Sequence, residues 1–469
     1  MKLILFIGHH KVGSTALQDF LSRNAVALMR AGILYPAVET QGQALLLARA
    51  LYGETPDIGG EGKDGKGGKG GALPINLREA HNALAFRMLA DEAGKSGRVP
   101  EFHKGLPGAG QMFRALRHQV EYLKPKAVIL CSEVFANFGQ KFEDPETSPI
   151  GRIARTFPEA EVTIMATLRR IDDYLAAWHG QRLRFGEKFR RLPDGAALRY
   201  CQNTHFDYRR MIEPWAQTFP GATLRLRTYD EVLAAGGSIA DMTEVLGRIP
   251  GVRLPEGLTQ PDRTNASLHR GLVDIARRGN WALPGPAASD LQGYLDRRAP
   301  ELGLPPSRDV ELYGADLRDR LVDRFAPIDA WLGEQAGRPG FFPDLEEART
   351  PRPVPEEAAA ETGLAALRRG LRAHPPGGDH GPAIAEFLRT LDLSRPVPAR
   401  VAEAQGAATA EGAERGPDTG TDTGTDTGAN TGPSKGPSKG VAKGRARPGP
   451  AAQGATTDDP ATGKRRARR

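Results

Sequence analysis

An apolar run, Leu3 to Ile7, meets a glycine-rich turn, Gly8-His9-His10-Lys11-Val12-Gly13-Ser14-Thr15, and an amphipathic segment follows from Ala16. No other junction constrains the fold as much. The run is too short for a membrane span or a secretory leader core, and no cleavage pattern follows it. It suits a buried parallel strand. Beyond the turn, Leu17, Phe20, Leu21, Ala25, Leu28 and Met29 mark one helical face, which Gly32 and Pro36 bring to an end. The first N–H groups of such a helix lack internal partners and its dipole is positive there, so phosphate or sulfate binds readily.

Two details of the turn narrow the anion. Gly8 and Gly13 are spaced as in loops that cradle phosphate, yet Ser14 stands where a triphosphate-binding loop needs lysine. The lysine lies inside the loop, at Lys11. Gly13 lets the backbone approach the anion, Ser14 and Thr15 add hydroxyl donors, and Lys11 adds a full charge. The alternative is an ordinary strand–turn–helix carrying these residues by chance.

Further strand candidates follow the same pattern. Ala127-Val128-Ile129-Leu130-Cys131 ends in Ser132-Glu133, and Val162 to Leu168 ends in Arg169-Arg170 before a helix from about Asp172 to Phe185. Thr223 to Tyr229 precedes a helical pattern from Ile239 to Leu246, and residues 308–335 and 357–391 read mainly as helices broken by prolines. Strands alternating with helices predict a parallel sheet covered on both faces.

The loop His10-Lys11-Val12-Gly13-Ser14-Thr15 resembles the 5′-phosphosulfate loop of the sulfotransferase superfamily, Pro or His, then Lys, any residue, Gly and two hydroxyl residues. Gly32-Ile33-Leu34-Tyr35-Pro36, Ser132-Glu133, Leu168 to Asp173 and Asn265-Ala266-Ser267-Leu268 are similar to segments of bacterial members, in order, over roughly residues 1–335. The resemblance implies a three-layer α/β fold of P-loop type, a parallel sheet flanked by helices, here with helical C-terminal additions and a disordered tail. It implies transfer of a sulfuryl group from 3′-phosphoadenosine-5′-phosphosulfate to an acceptor hydroxyl, with carbohydrate as the acceptor class by family habit.

The resemblance also assigns roles. His10, Lys11, Val12, Gly13, Ser14 and Thr15 would hold the phosphosulfate, with Lys11 on the leaving oxygen. Arg169 would grip the nucleotide 3′-phosphate, where a guanidinium fork suits a dianion. Family members add a serine eight residues on, but this chain has Ala177, so one bond of that clamp is missing or comes from elsewhere. Arg263 and Arg270 match a basic closing loop only loosely. Arg170 is expected to pair with Asp172 or Asp173 instead. Glu133 stands about where cytosolic members carry a catalytic histidine. Two readings of it remain open, a general base or a helix N-terminal carboxylate. His81, early in a predicted helix, is the other candidate base.

A sulfuryl group carries less charge than a terminal phosphate, so no metal is expected, and no Cys/His cluster with zinc spacing appears. The alternatives are a P-loop kinase or nucleotide triphosphatase, and a degenerate nucleotide-binding scaffold. Ala177 leaves the second open, as does Ala16, where many cytosolic members place an aromatic residue near the adenine.

Composition divides the chain. Residues 53–72 are almost free of apolar side chains and read as a flexible insertion. From 396 to 469 the sequence is low-complexity, with Thr-Asp-Thr-Gly and Gly-Pro-Ser-Lys repeats, and reads as disordered. Residues 434–469 hold ten Lys/Arg against two Asp, a net of +8, which leaves −1 of the chain's +7 for everything else. The basic tail suits anionic polymers or a membrane surface, or simply solubility; it carries no specific nucleic-acid motif. The expected domains are 1–335, a helical extension 336–395, and the tail 396–469. Two cysteines, Cys131 and Cys201, build no disulfide framework, which fits a cytoplasmic, membrane-peripheral at most, protein.

Overall fold

The computed structural model describes residues 1–53, 75–94, 98–103, 105–141, 148–261 and 267–397. The insertion beyond Gly53, the tail from residue 398, and Arg263, Asn265 and Ala266 lie outside the described residues.

Five strands form one sheet: β1 (Lys2–Phe6), β2 (Ile33–Leu34), β3 (Ala127–Cys131), β4 (Glu161–Leu168) and β5 (Thr223–Thr228), in the order β2-β3-β1-β4-β5. Every pairing is parallel. The fold is α/β, as the alternation of strand and helix patterns predicts. β2 is the strand that periodicity does not reveal. It has only two residues, and Gly32, at φ 88°, turns the chain into it just past the helix Ala25–Arg30.

Side-chain alternation along the strands feeds two separate cores. Leu3 and Leu5 of β1, Val128 and Leu130 of β3, and Ile164 and Ala166 of β4 face one side. Ile4 and Phe6, Ala127 and Ile129, and Met165 face the other. The second face is covered by the helix Ser14–Arg23, through Leu17, Phe20 and Leu21, and by the helix Ser238–Gly247, through Met242 and Leu246. The first is covered by several helices, among them Ala80–Glu92, Tyr208–Thr218 and Ala315–Ala336. Each fully buried Leu or Ile contributes about 1.5–3 kcal/mol, so β1, buried on both faces, is the sheet's anchor.

The helices after residue 335 are less separate than the expected boundary there implies. Phe341, Phe342, Leu345 and Ala348 pack into the core on the first face of the sheet. A third core joins Leu183, at the end of the helix Ile171–Arg184, to the helices Val273–Ala282, Gly285–Arg298, Glu356–Gly370 and Gly381–Thr390. Gly279 permits the closest approach there, since a Cβ would sit 2.2 Å from Leu291 Cδ2. Among the described residues, no helix is long and apolar enough to cross a membrane.

Candidate functional site

Because all five strands run the same way, the segments that follow them gather at one edge. The glycine-rich loop follows β1, Ser132-Glu133 follows β3, Arg169-Arg170 follows β4 and Tyr229 follows β5. β1 and β4 are neighbours, yet the chain leaves β1 for β2 on one side and β4 for β5 on the other. Such a switch point opens a crevice in which α/β sheets bind ligands.

The loop is built as an extension of the sheet that then breaks away. His9 N donates to Thr167 O at 3.0 Å, and Thr167 N donates to Gly8 O at 3.0 Å. Lys11 and Gly13 both take positive φ, 64° and 87°. At Gly13 a side chain would be strained and would meet Ser238 Oγ at 3.0 Å, which accounts for the glycine. Gly13 is the N-cap of the helix Ser14–Arg23, which has no side-chain cap and no acidic residue in its first turn. Its orphan N–H groups and positive dipole end are left for an external anion. Val12 does not face that end; it is buried in the second core and anchors the loop.

Lys11 is half-buried beside that helix end, and no ion pair engages it among the described residues. Burial, with the charges of Arg184 and Arg169, pulls its ammonium down to about 8, and Asp296 and Glu133 work in the opposite direction. It remains a cation at neutral pH, with no carboxylate at ion-pair distance among the described residues. His9 and His10 are buried and held neutral, burial lowering both to about 3. His9 stacks on Tyr174 at 3.7 Å and bonds through Nε2 to His205 O at 2.5 Å. His10 lies 5.1 Å from the Trp178 ring, and its Nε2 has no hydrogen-bond partner among the described residues. Ser14 is buried and Thr15 half-buried.

Glu133 opens the 3-10 helix Glu133–Lys141 directly after β3, so its position fits the helix-start reading as well as the site. The carboxyl is 4% exposed. Gln18 Nε2 donates to Oε2 at 2.6 Å and Asn82 Nδ2 to Oε1 at 3.2 Å. The Ser14 side chain also lies close enough to favour its charged form. Burial first, then the charge of Glu79, push the carboxyl up to about 7; its own backbone, Asn82 and Ser14 oppose that rise. A carboxyl poised there is half-ionised at neutral pH, where an acid–base group is most useful.

The two arginines after β4 separate. Arg170 bonds to Asp172 Oδ1 at 2.8 Å, one of the two partners expected for it, and also to Asp344 Oδ2 at 2.5 Å, a partner the sequence does not reveal. Arg169 has no ion pair among the described residues; its guanidinium lies 4.1 Å over the Tyr229 ring, and its Nε has no partner. Burial disfavours its charge, Tyr229 and Asp173 favour it, and Arg308 and Arg270 disfavour it further. Ala177 is buried in the helix Ile171–Arg184. Arg270 is tied to Asp173 at 2.5 Å.

His81 does not fit the role of a base. Its Nδ1 accepts from Cys131 N at 3.0 Å, so Nε2 carries the proton and donates to Pro36 O at 3.0 Å. Both nitrogens serve the backbone of β3 and of the segment after β2, and burial lowers the imidazole to about 4. Asn82 of the helix Ala80–Glu92 does reach Glu133, and Glu79, the cap residue of that helix, acts on it by its charge. Their three-residue spacing on a helix puts them on one face, with His81 turned away. Gln18, four residues after Ser14, reaches it by the same logic from the first helix.

No family model matches the chain. No curated protein and no solved structure matches it either.

Proposed function

We propose that the chain is a sulfotransferase of P-loop type, moving a sulfuryl group from 3′-phosphoadenosine-5′-phosphosulfate to an acceptor hydroxyl. One observation carries this: an uncapped helix end and a Lys11 without an ion pair among the described residues share a sheet edge with a buried carboxyl raised to about 7. An electrophilic anion and a proton-bearing nucleophile are the reactants such a pair of features serves.

Each residue has a role in this proposal. The N–H groups at Gly13 to Thr15, with the Ser14 and Thr15 hydroxyls, cradle the 5′-phosphosulfate, and the open His10 Nε2 adds a contact. The sulfur–oxygen bond to the phosphate breaks as one to the acceptor oxygen forms, and Lys11 neutralises the charge left on the phosphate. Glu133 takes the acceptor proton. Arg169, held over Tyr229, takes the 3′-phosphate in place of a full arginine–serine clamp. The transfer is loose, so alignment and charge do most of the catalysis. The acceptor class proposed is carbohydrate or another hydroxyl metabolite, in the cytoplasm, with the basic tail available to anionic polymers or a membrane surface.

Calorimetry against adenosine 3′,5′-bisphosphate and ATP, each with and without magnesium, tests the donor. Magnesium-independent binding of the bisphosphate is expected. Magnesium-dependent ATP binding in its place points to a kinase or triphosphatase, and binding of neither to a scaffold. Transfer of labelled sulfate to an acceptor panel, lost in Glu133→Gln with bisphosphate binding retained, then tests the base.

A further inference from the structure

Glu133 is one of two buried carboxylates joined by a single amide. Glu79 is 2% exposed and lies between the short helix Ile75–Arg78 and the helix Ala80–Glu92. Asn82 Nδ2 donates one N–H to Glu79 Oε2 at 3.1 Å and the other to Glu133 Oε1 at 3.2 Å. The amide is itself held, since Ser132 Oγ donates to Asn82 Oδ1 at 2.6 Å and Gln18 Nε2 approaches it at 3.4 Å. Asn82 therefore cannot flip without breaking four contacts, and its orientation fixes both carboxylates.

The pair is not symmetric. Arg78 donates from Nε and Nη2 to Glu79 Oε1, at 3.2 and 2.9 Å. Among the described residues no cation touches Glu133; its side-chain hydrogen-bond donors are the neutral amides of Gln18 and Asn82. The other titratable groups that sense it are Lys11 from the loop, Cys131 from β3, Tyr35 after β2 and Tyr174 on the helix Ile171–Arg184. Of these only Lys11 is cationic. The negative charge of Glu79 therefore disfavours the anion of Glu133, which has no arginine beside it.

We propose that Glu79 is a positioning residue of this site: through the shared Asn82 amide it orients the Glu133 carboxyl and couples proton exchange at Glu133 to the Glu79 charge. The catalytic use of that exchange rests on Glu133 being the base proposed above; the coupling itself does not.

Two variants that push Glu133 in opposite directions test it. Glu79→Gln keeps an acceptor for Asn82 but removes the charge, and should lower the Glu133 midpoint by roughly one pH unit. Asn82→Ala removes the shared donor, and should raise that midpoint by a similar amount. Infrared titration reads the midpoint in the full chain without any donor, with the Glu133 band assigned by difference from Glu133→Gln. The pH profile of sulfate transfer reads it again during turnover. Opposite shifts support the proposal; an unmoved band in Glu79→Gln, or shifts of one sign in both variants, overturns it. If the band moves and the wild type itself transfers no sulfate to the acceptor panel, the coupling stands and the sulfotransferase assignment falls.

Discussion

The ionic hub around Asp172 and the cationic edge around Lys11 begin one residue apart, at Arg170 and Arg169, and they treat charge in opposite ways. In the hub, Asp172 receives Arg170 at 2.8 Å and Arg318 and Arg352 at 3.5 Å, while Glu311 holds Arg318 at 2.9 Å. Burial alone would raise the Asp172 carboxyl, but the bond and charge of Arg170 and the charge of Arg318 keep it below its usual range. At the edge, Lys11 and Arg169 have no carboxylate within ion-pair distance among the described residues, and the adjacent helix end is uncapped. The hub meets its arginines with carboxylates from within the chain; the edge shows no such carboxylate among the described residues. Arg170 and Arg169 differ here by their neighbours, not by their position in the chain.

The largest effect should come from breaking the hub. Asp172→Ala leaves three guanidinium groups without their shared acceptor and should cost about 3–5 kcal/mol in urea unfolding. Lys11→Ala should do the reverse, cutting sulfate transfer by about 10²–10³-fold while the unfolding midpoint stays level or rises. A large loss of stability in that variant would mean that Lys11 has an internal partner and the contrast with the hub is false.

Glu133 tests the edge by pH. Its carboxyl is raised from 4.5 to about 7, so its contribution to stability is fully present below about 4.5 and is lost as pH rises through about 7. Relative to wild type, Glu133→Gln should therefore gain about 3 kcal/mol in unfolding experiments between about pH 4 and pH 8. Arg169→Ala should weaken binding of adenosine 3′,5′-bisphosphate by about ten- to a hundredfold with little change in stability, whereas Arg170→Ala should show the opposite split. Comparable losses of binding from both would erase the distinction between them. His81→Gln sets the smallest effect, about 1 kcal/mol of stability from its two backbone bonds, with the pH profile of transfer unmoved. A displaced profile would restore His81 as a base.

Much of the sheet was legible from the chain because strand signals are local. The apolar runs of β1, β3 and β4 and the β-branched start of β4 announce themselves within a few residues. β2 did not, because two residues carry no period. The candidate site was legible in part for the same reason. Loop residues 10–15 and Arg169 sit at strand ends, where the parallel topology gathers them. His81 was the histidine in a promising segment, but residue type was a poor guide there. Helical spacing from Asn82 to Glu79 was the available signal, and it needs to be known which face meets β3. Arg263 lies outside the described residues, so its expected part in closing the site stands as a proposal.

Taken by itself, the sequence determined that a buried strand turns through Gly8 to Gly13 into a helix, with a lysine in the loop and a serine after it. Those features follow from apolar periodicity and from the backbone freedom of glycine, and both act over a handful of residues. Only the tertiary structure decided which charges are spent internally. Arg170 meets Asp344 from 174 residues away, His81 meets Pro36 and Cys131, and Glu133 shares Asn82 with Glu79. Desolvation and pairing depend on neighbours the chain brings from afar, and they set apart the groups that hold the fold from those left to act.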